Sequence, residues 1–488
     1  MALLPWGDFR PDVSDYQGKA VYNIQNVLPR GDGYGPFPDF SQFSGALPAA
    51  CRGAFYALKA DGSVVIFAAT STRLYQLNNT DYTWTDVSKA STAYSGLTGT
   101  ANWQFVQFNN FVIAVQANVA PQVFNLASST EFADLGGSPP QAAYASIVGR
   151  FVVLSGLLSN PYRIQWSGLN ATTTWTSGVN SSDYQDFPDG GIVRGVAGGD
   201  QSAIIFQDQA IRRMSYVPGS PIVFQIDRIS QDKGLYAPYS IVRAGEVVYF
   251  YAGQGFHKIA PGGFPEQIGR EKVDRTFLTD LDKGNLQLFM GAADPRSTRV
   301  YWAYKSVSGS ADQYDKIIGY DPALDRFFQI AMTGEFLLGI SQTGLTLENL
   351  DTISSSLDAL TLTLDAYATA VQPEISQFNT THNLGFFRGA SLEATLESAE
   401  QGTDGQRLFI KGFRPVTDSP TVAGSITYRE MTSATPVVGS EVNKNARTGR
   451  CDMRKSTRYV RYKNRIPAGT VWTFTAGIEP DVTLEGMQ

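Results

Sequence analysis

Six times along the chain one order of segments returns: a loose strand, a strongly apolar strand, an alternating strand, then a more polar strand carrying an aromatic. The apolar segments are VVIFAA (64–69), FVIAVQ (111–116), FVVLSG (151–156), SAIIFQ (202–207), VVYFYA (247–252) and RVYWAY (299–304). A looser segment precedes each: AFYALK (54–59), WQFVQF (103–108), AAYASI (142–147), VRGVAG (193–198), YSIVRA (239–244) and LQLFMG (286–291). After each comes a third segment such as RLYQLN or QVFNLA, and then a fourth: YTWTDV, TEFADL, TTWTSG (173–178), IVFQID (222–227), FPEQIG (264–269) and RFFQIA (326–331). The fourth-strand aromatics Trp84, Phe132, Trp175 and Phe224 recur about every 45 residues, the period of a four-stranded repeat unit. In the last unit SVSGSADQYD (306–315) reads as a loop insertion.

A lone four-stranded sheet cannot bury both faces, so such units must stack on one another. Strands covered on both faces become continuous apolar runs, whereas half-exposed strands alternate. A pair of β-sandwiches would also supply many short strands, but it needs no gradient that resets at a fixed period. The expected fold is therefore all-β: a six-bladed β-propeller over residues 51–340, with an extended N-terminal arm (1–50) and a C-terminal β-sandwich (383–488). Residues 341–382 read as a connector, helical in part. There Leu350, Ile353, Leu357, Leu360, Leu364 and Tyr367 fall at heptad positions, though the serines and threonines between them disfavour helix.

Composition agrees with strands and turns: 17% charged, 12% aromatic, 47 glycines and 24 prolines. The net charge of -6 gives no global electrostatic attraction to nucleic acid. Cys51 and Cys451 form no disulfide framework, which fits synthesis in a reducing cytoplasm. The opening MALLPWGDFRPD reads as neither signal peptide nor anchor, and no run approaches the roughly 18 apolar residues of a membrane span. Pro29, Pro36 and Pro38 stiffen the arm, and Arg30-Gly31-Asp32 within it is expected to be a turn and no integrin ligand.

Catalytic signatures are sparse. His257 and His382 are the two histidines, and neither has a neighbour at metal-ligand spacing. No GxSxG elbow or phosphate-binding loop occurs. Sialidase blades carry a Ser-x-Asp-x-Gly-x-x-Trp turn; TDYTWTDV offers Asp81 and Trp84 without the glycine. No catalytic residue, cofactor or metal is expected, and the chain is read as a protein that is no enzyme. The candidate interface is a strand at 459–465, where Arg461, Lys463 and Arg465 share one face and Val460 and Tyr462 the other. Such a face can meet DNA, an acidic protein neighbour or only solvent.

Three stretches resemble structural proteins of short-tailed bacteriophages, namely the tail hub or nozzle proteins known as tail tubular protein B or packaged-DNA stabilisation protein. They are YNIQNVLPRGDGYGPFPDFSQFSGALPAACRGAF (22–55), TLENLDTISSSLDALTLTLDA (346–366) and TRYVRYKNRIPAGTVWTFTAGIEP (457–480). The resemblance implies a ring, commonly of six copies, below the portal and adaptor proteins. That ring would contact tail fibres or spikes, line the passage through which genomic DNA leaves, and help to retain packaged DNA. It implies a protein made in the host cytoplasm and located in the virion tail. The alternative is a glycan-binding or polysaccharide-degrading propeller, whose chemistry would need paired carboxylates.

Overall fold

The computed structural model describes residues 3–341 and 373–485, apart from positions 15, 17, 19, 221, 311, 403 and 404. Its strands fall into nine separate antiparallel sheets. Seven have four strands each, and the other two have six and seven.

The first sheet shows how sequence becomes structure. Ala54–Leu58, Val64–Ala69, Leu74–Leu77 and Trp84–Asp86 pair in chain order through short turns. All six residues of Val64–Ala69 are buried, because a neighbouring sheet covers each face. The fourth-strand aromatics provide much of that cover. Phe132, just before the second sheet's fourth strand Ala133–Asp134, meets Phe67 of the first edge-on at 5.5 Å. Phe224 of the fourth meets Phe151 and Trp166 of the third, each at 5.1 Å. Trp84 of the first lies 5.7 Å from Phe378 of the seventh and donates its indole N–H to the Gly45 carbonyl. Repetition without sequence identity follows, since a matching apolar face is all that stacking requires.

Residues in or beside the first strand of each of the seven sheets line a shared cavity of about 330 Å³, among them Ala54, Phe105, Ala145, Val196, Ile241, Gly291 and Leu338.

The expected six-bladed propeller with an extended N-terminal arm and a C-terminal sandwich is overturned. The hydrogen-bonded units are small and discrete, no strand ladder curls or closes them into a propeller, and nothing in their topology is particular to a tail protein. The four-stranded sheets also number seven. The seventh joins Phe336–Ser341, Pro373–Phe378 and Asn383–Ser391 to Pro38–Ala46 from the region read as arm. A periodic scan misses it because one of its strands comes from some three hundred residues away, and pairing at that separation leaves no periodic trace. The third sheet is corrected too: its fourth strand is Asp183–Asp186, whereas Trp175 sits buried in the preceding loop with its indole N–H on the Thr172 carbonyl. Of the connector, residues 342–372 lie outside the described residues, including the heptad positions.

The extended arm is also corrected, because the two larger sheets mix both ends of the chain. The six-stranded sheet runs Val27–Arg30, Gly33–Pro36, Thr475–Glu485, Arg407–Thr417, Cys451–Thr457, with Leu4–Pro5 also on Thr475–Glu485. The seven-stranded sheet runs Asn23–Gln25, Ala394–Glu397, Tyr459–Ile466, Ala423–Arg429, Val437–Val438, with two short strands beside it. Phe413 and Tyr462 meet between the two sheets at 5.4 Å. Arg30-Gly31-Asp32 is the turn of the hairpin that pairs Arg30 with Gly33. Gly33 has φ +149°, and a Cβ there would fall 2.2 Å from the Thr475 carbonyl oxygen, so the two ends meet where only glycine fits.

Candidate functional site

The basic strand Tyr459–Ile466 lies inside the seven-stranded sheet, between Ala394–Glu397 and Ala423–Arg429. Alternation works as expected: Val460, Tyr462, Asn464 and Ile466 are buried on one face, and Arg461, Lys463 and Arg465 share the other. The basic side chains are not a bare cationic patch, however. Arg461 is itself buried, with its guanidinium 3.8 Å from the ring centre of Tyr22 in the N-terminal segment. Arg465 reaches Glu441 at 2.7 Å and Glu393 at 3.0 Å. Those hydrogen bonds, with Glu441 first, hold its guanidinium above its ordinary pKa, while Arg465 holds the Glu441 carboxyl below the usual range. Lys463 is half-buried, in register with Glu397 on one side and Ser425 on the other. The three cations are thus brought together, and two of them are engaged within the chain.

Sequence reasoning missed the partners Tyr22, Glu393 and Glu441. Their placement depends on which distant strands pair, and none of them belongs to a local motif.

It also missed Asp12. This buried carboxylate accepts the backbone N–H groups of Arg275 (2.7 Å) and Thr276 (2.8 Å) at the start of the helix Asp274–Asp280, and the Thr276 hydroxyl at 2.7 Å. It caps a helix more than two hundred and fifty residues away and fastens the N-terminal segment there. Beside it Asp274 accepts from the Phe256 N–H at 3.0 Å and from Gln267 at 2.8 Å. Burial pushes the Asp274 carboxyl up to about 6, against the opposing pull of those hydrogen bonds.

One juxtaposition superficially resembles a catalytic triad. Glu335, buried, stands 2.6 Å from His382 Nδ1 and accepts the Cys51 backbone N–H at 3.0 Å. The Cys51 thiol instead faces the Gly53 carbonyl at 3.4 Å, and burial raises its pKa far above the ordinary thiol range. A thiol so protonated is no nucleophile at neutral pH. The trio acts as a clasp, tying the turn before Asn383 and the strand Phe336–Ser341 to the chain entering the first sheet.

His257 is buried against Phe250, with ring centres 5.5 Å apart, and donates Nδ1–H to the Gly255 carbonyl at 2.9 Å. Burial lowers its pKa, so it stays neutral and serves as packing. Among the described residues no three His, Cys, Asp or Glu side chains gather as a metal site would require, and no helix is long and apolar enough to cross a membrane.

No protein-family model matches the chain, and no curated protein matches it. Solved structures match distantly. The extracellular domain of a hybrid two-component system from B. thetaiotaomicron aligns over 84% of this chain and 46% of its own, at 11% identity and TM-score 0.39. This chain thus spans less than half the length of that one. A functionally unknown protein from Desulfotomaculum acetoxidans aligns over 58% of this chain and 85% of its own, at 13% identity and TM-score 0.37. The computationally designed Ika8 protein aligns over 70% of this chain and 97% of its own, at 11% identity and TM-score 0.35. Likeness at this level decides neither family nor function.

Proposed function

We propose that the chain is a non-catalytic structural subunit of a bacteriophage tail. It would form a nozzle or hub ring of self-associated copies below the portal and adaptor, in contact with fibres or spikes, where it contributes to the DNA-ejection channel and retains packaged DNA. The observation that carries the reading is the sequence resemblance of residues 22–55 and 457–480 to such proteins. Its support from geometry is indirect: strands from both stretches share the same two sheets. Residues that carry the likeness are therefore structural members joining the chain ends. The carboxylates paired with Arg465 and the net charge of -6 suit a wall past which DNA slides without sticking.

The test is electron microscopy of the purified chain mixed with portal–adaptor complex. A ring coaxial with the portal is expected. A chain that stays unattached overturns the reading, as does purified protein that clears bacterial polysaccharide and loses that activity on a single Asp or Glu substitution. Because Arg461 is buried and Arg465 is paired within the chain, the face is tested at Lys463: Lys463→Glu should impair assembly, and unchanged assembly removes this face from the interface.

A further inference from the structure

The six-stranded sheet ends in a three-stranded ribbon: Thr475–Glu485, Arg407–Thr417 and Cys451–Thr457. Two of its edges are open. Leu4–Pro5 covers Thr475–Glu485 at Gly477 and Ile478, but among the described residues no strand pairs with the outer side of Asp481–Glu485, nor with that of Cys451–Thr457. Exposed edges of this kind are templates for pairing with another chain.

The side chains at these edges differ in character. Cross-strand register places Leu484 beside Leu408 and Thr457, and Val482 beside Ile410 and Lys455. Neighbours in register point to the same face, and Ile410 and Thr457 on that face are completely buried. Val482 and Leu484 therefore lie on the core side of the sheet, yet they are 39% and 66% exposed. The core runs out to a rim that leaves both side chains exposed among the described residues. Along the same rim stand Asp481 and Glu485, the latter accepting the Ser456 hydroxyl across the ribbon, whereas the opposite edge carries Arg454 and Lys455 beside one acid, Asp452, which Arg450 meets at 3.2 Å. Asp481 is partly offset by Arg450 at 2.9 Å, and Lys455 lies over the Tyr428 ring at 4.1 Å. Arg454 is exposed.

We infer that copies of this chain join head to tail, the Asp481–Glu485 edge of one pairing with the Cys451–Thr457 edge of the next. Both edge strands run antiparallel to Arg407–Thr417 and hence parallel to each other, so a neighbour that continues the sheet adds a parallel pair. In that alignment the basic edge meets the acidic one, and the neighbour's sheet covers Val482 and Leu484. Because two different edges meet, the contact repeats from copy to copy and closes into a ring if the rotation allows. This deepens the self-association part of the function proposed above, but it rests on the strand edges alone.

The test uses the full chain and two variants: R454E/K455E, with its basic edge reversed, and T483K/E485K, which makes the other edge net basic while leaving Asp481 paired with Arg450. The wild type is expected to assemble in light scattering at micromolar concentration. Each variant alone should assemble at least tenfold more weakly, because like charges then meet at every contact. An equimolar mixture should regain assembly, since each variant's altered edge complements the other's. Backbone amides of residues 481–485 in the wild type should also exchange hydrogen more slowly as concentration rises, a readout that needs no variant. Assembly unchanged in both variants would falsify the edge contact while leaving ring formation standing, and a mixture that fails to recover also sinks it. A wild type that stays monomeric, with amide exchange independent of concentration, overturns both the contact and self-association.

Discussion

The first sheet and the six-stranded sheet obey the same hydrogen-bonding rules but are assembled in opposite ways. The first pairs four strands in chain order between Ala54 and Asp86. The other binds Leu4–Pro5 and Val27–Pro36 to strands that lie past residue 400. Local pairing incurs little loop-closure entropy, so a local sheet is announced by its own hairpins and apolar rhythm. Distant pairing depends on the whole fold being in place, and its residues carry no local mark. The comparison teaches that one chain can be legible in its middle and opaque at its ends.

The largest effect should come from removing residues 1–37. That deletes the strands at 4–5, 23–25, 27–30 and 33–36 and uncovers core residues such as Ile478 and Leu396. Limited proteolysis should then cut within 394–485 while the locally built sheets resist. A C-terminal region that stays resistant would mean that its sheets hold without residues 1–37. Next, Phe67→Ala removes a fully buried ring that contacts Phe124 and Phe132. It should lower stability by about 3–5 kcal/mol in chemical denaturation, and the loss should appear in the locally built sheets with the larger sheets less affected.

Stability against pH reports on the carboxyl beside Asp12, where the N-terminal segment is fastened to the helix. The folded-state pKa of Asp274 is raised to about 6 from 3.8. An acid raised in the folded state binds its proton more tightly there, so this group favours folding below about pH 4 and loses that contribution as pH rises through about 6. At about 1.4 kcal/mol per pH unit the change is bounded near 3 kcal/mol. Asp274→Asn should flatten the stability profile between pH 4 and 7, and an unchanged slope would remove Asp274 from the account. The smallest effect concerns Asn464, fully buried in the seven-stranded sheet, whose side-chain amide makes no hydrogen bond to the described residues. Asn464→Leu keeps the volume and removes the unsatisfied groups, so the melting temperature should rise by the equivalent of about 1–3 kcal/mol. A fall would mean that the amide has a role the packing does not reveal.

Residue by residue, much of the middle was readable. VVIFAA, FVIAVQ and VVYFYA are buried strands where their apolar runs place them, and Arg30-Gly31-Asp32 is a turn, whereas the insertion read at 306–315 overruns the strand that begins at Tyr314. Trp175 misled because a buried loop aromatic and a strand aromatic look alike in sequence. At the candidate site, the shared face of Arg461, Lys463 and Arg465 follows from a period of two. The engagement of Arg461 and Arg465 does not, because Tyr22, Glu393 and Glu441 arrive from three other segments.

By itself the sequence determined strand composition, most hairpins and the apolar faces that make stacking necessary, because those depend on neighbours a few residues apart. Only the tertiary structure decided how many sheets there are, that residues 38–46 finish a sheet with 383–391, and that the two chain ends fold into common sheets. Those choices lie in pairings across hundreds of residues, where hydrogen bonds between backbones carry no imprint of which side chains will find one another.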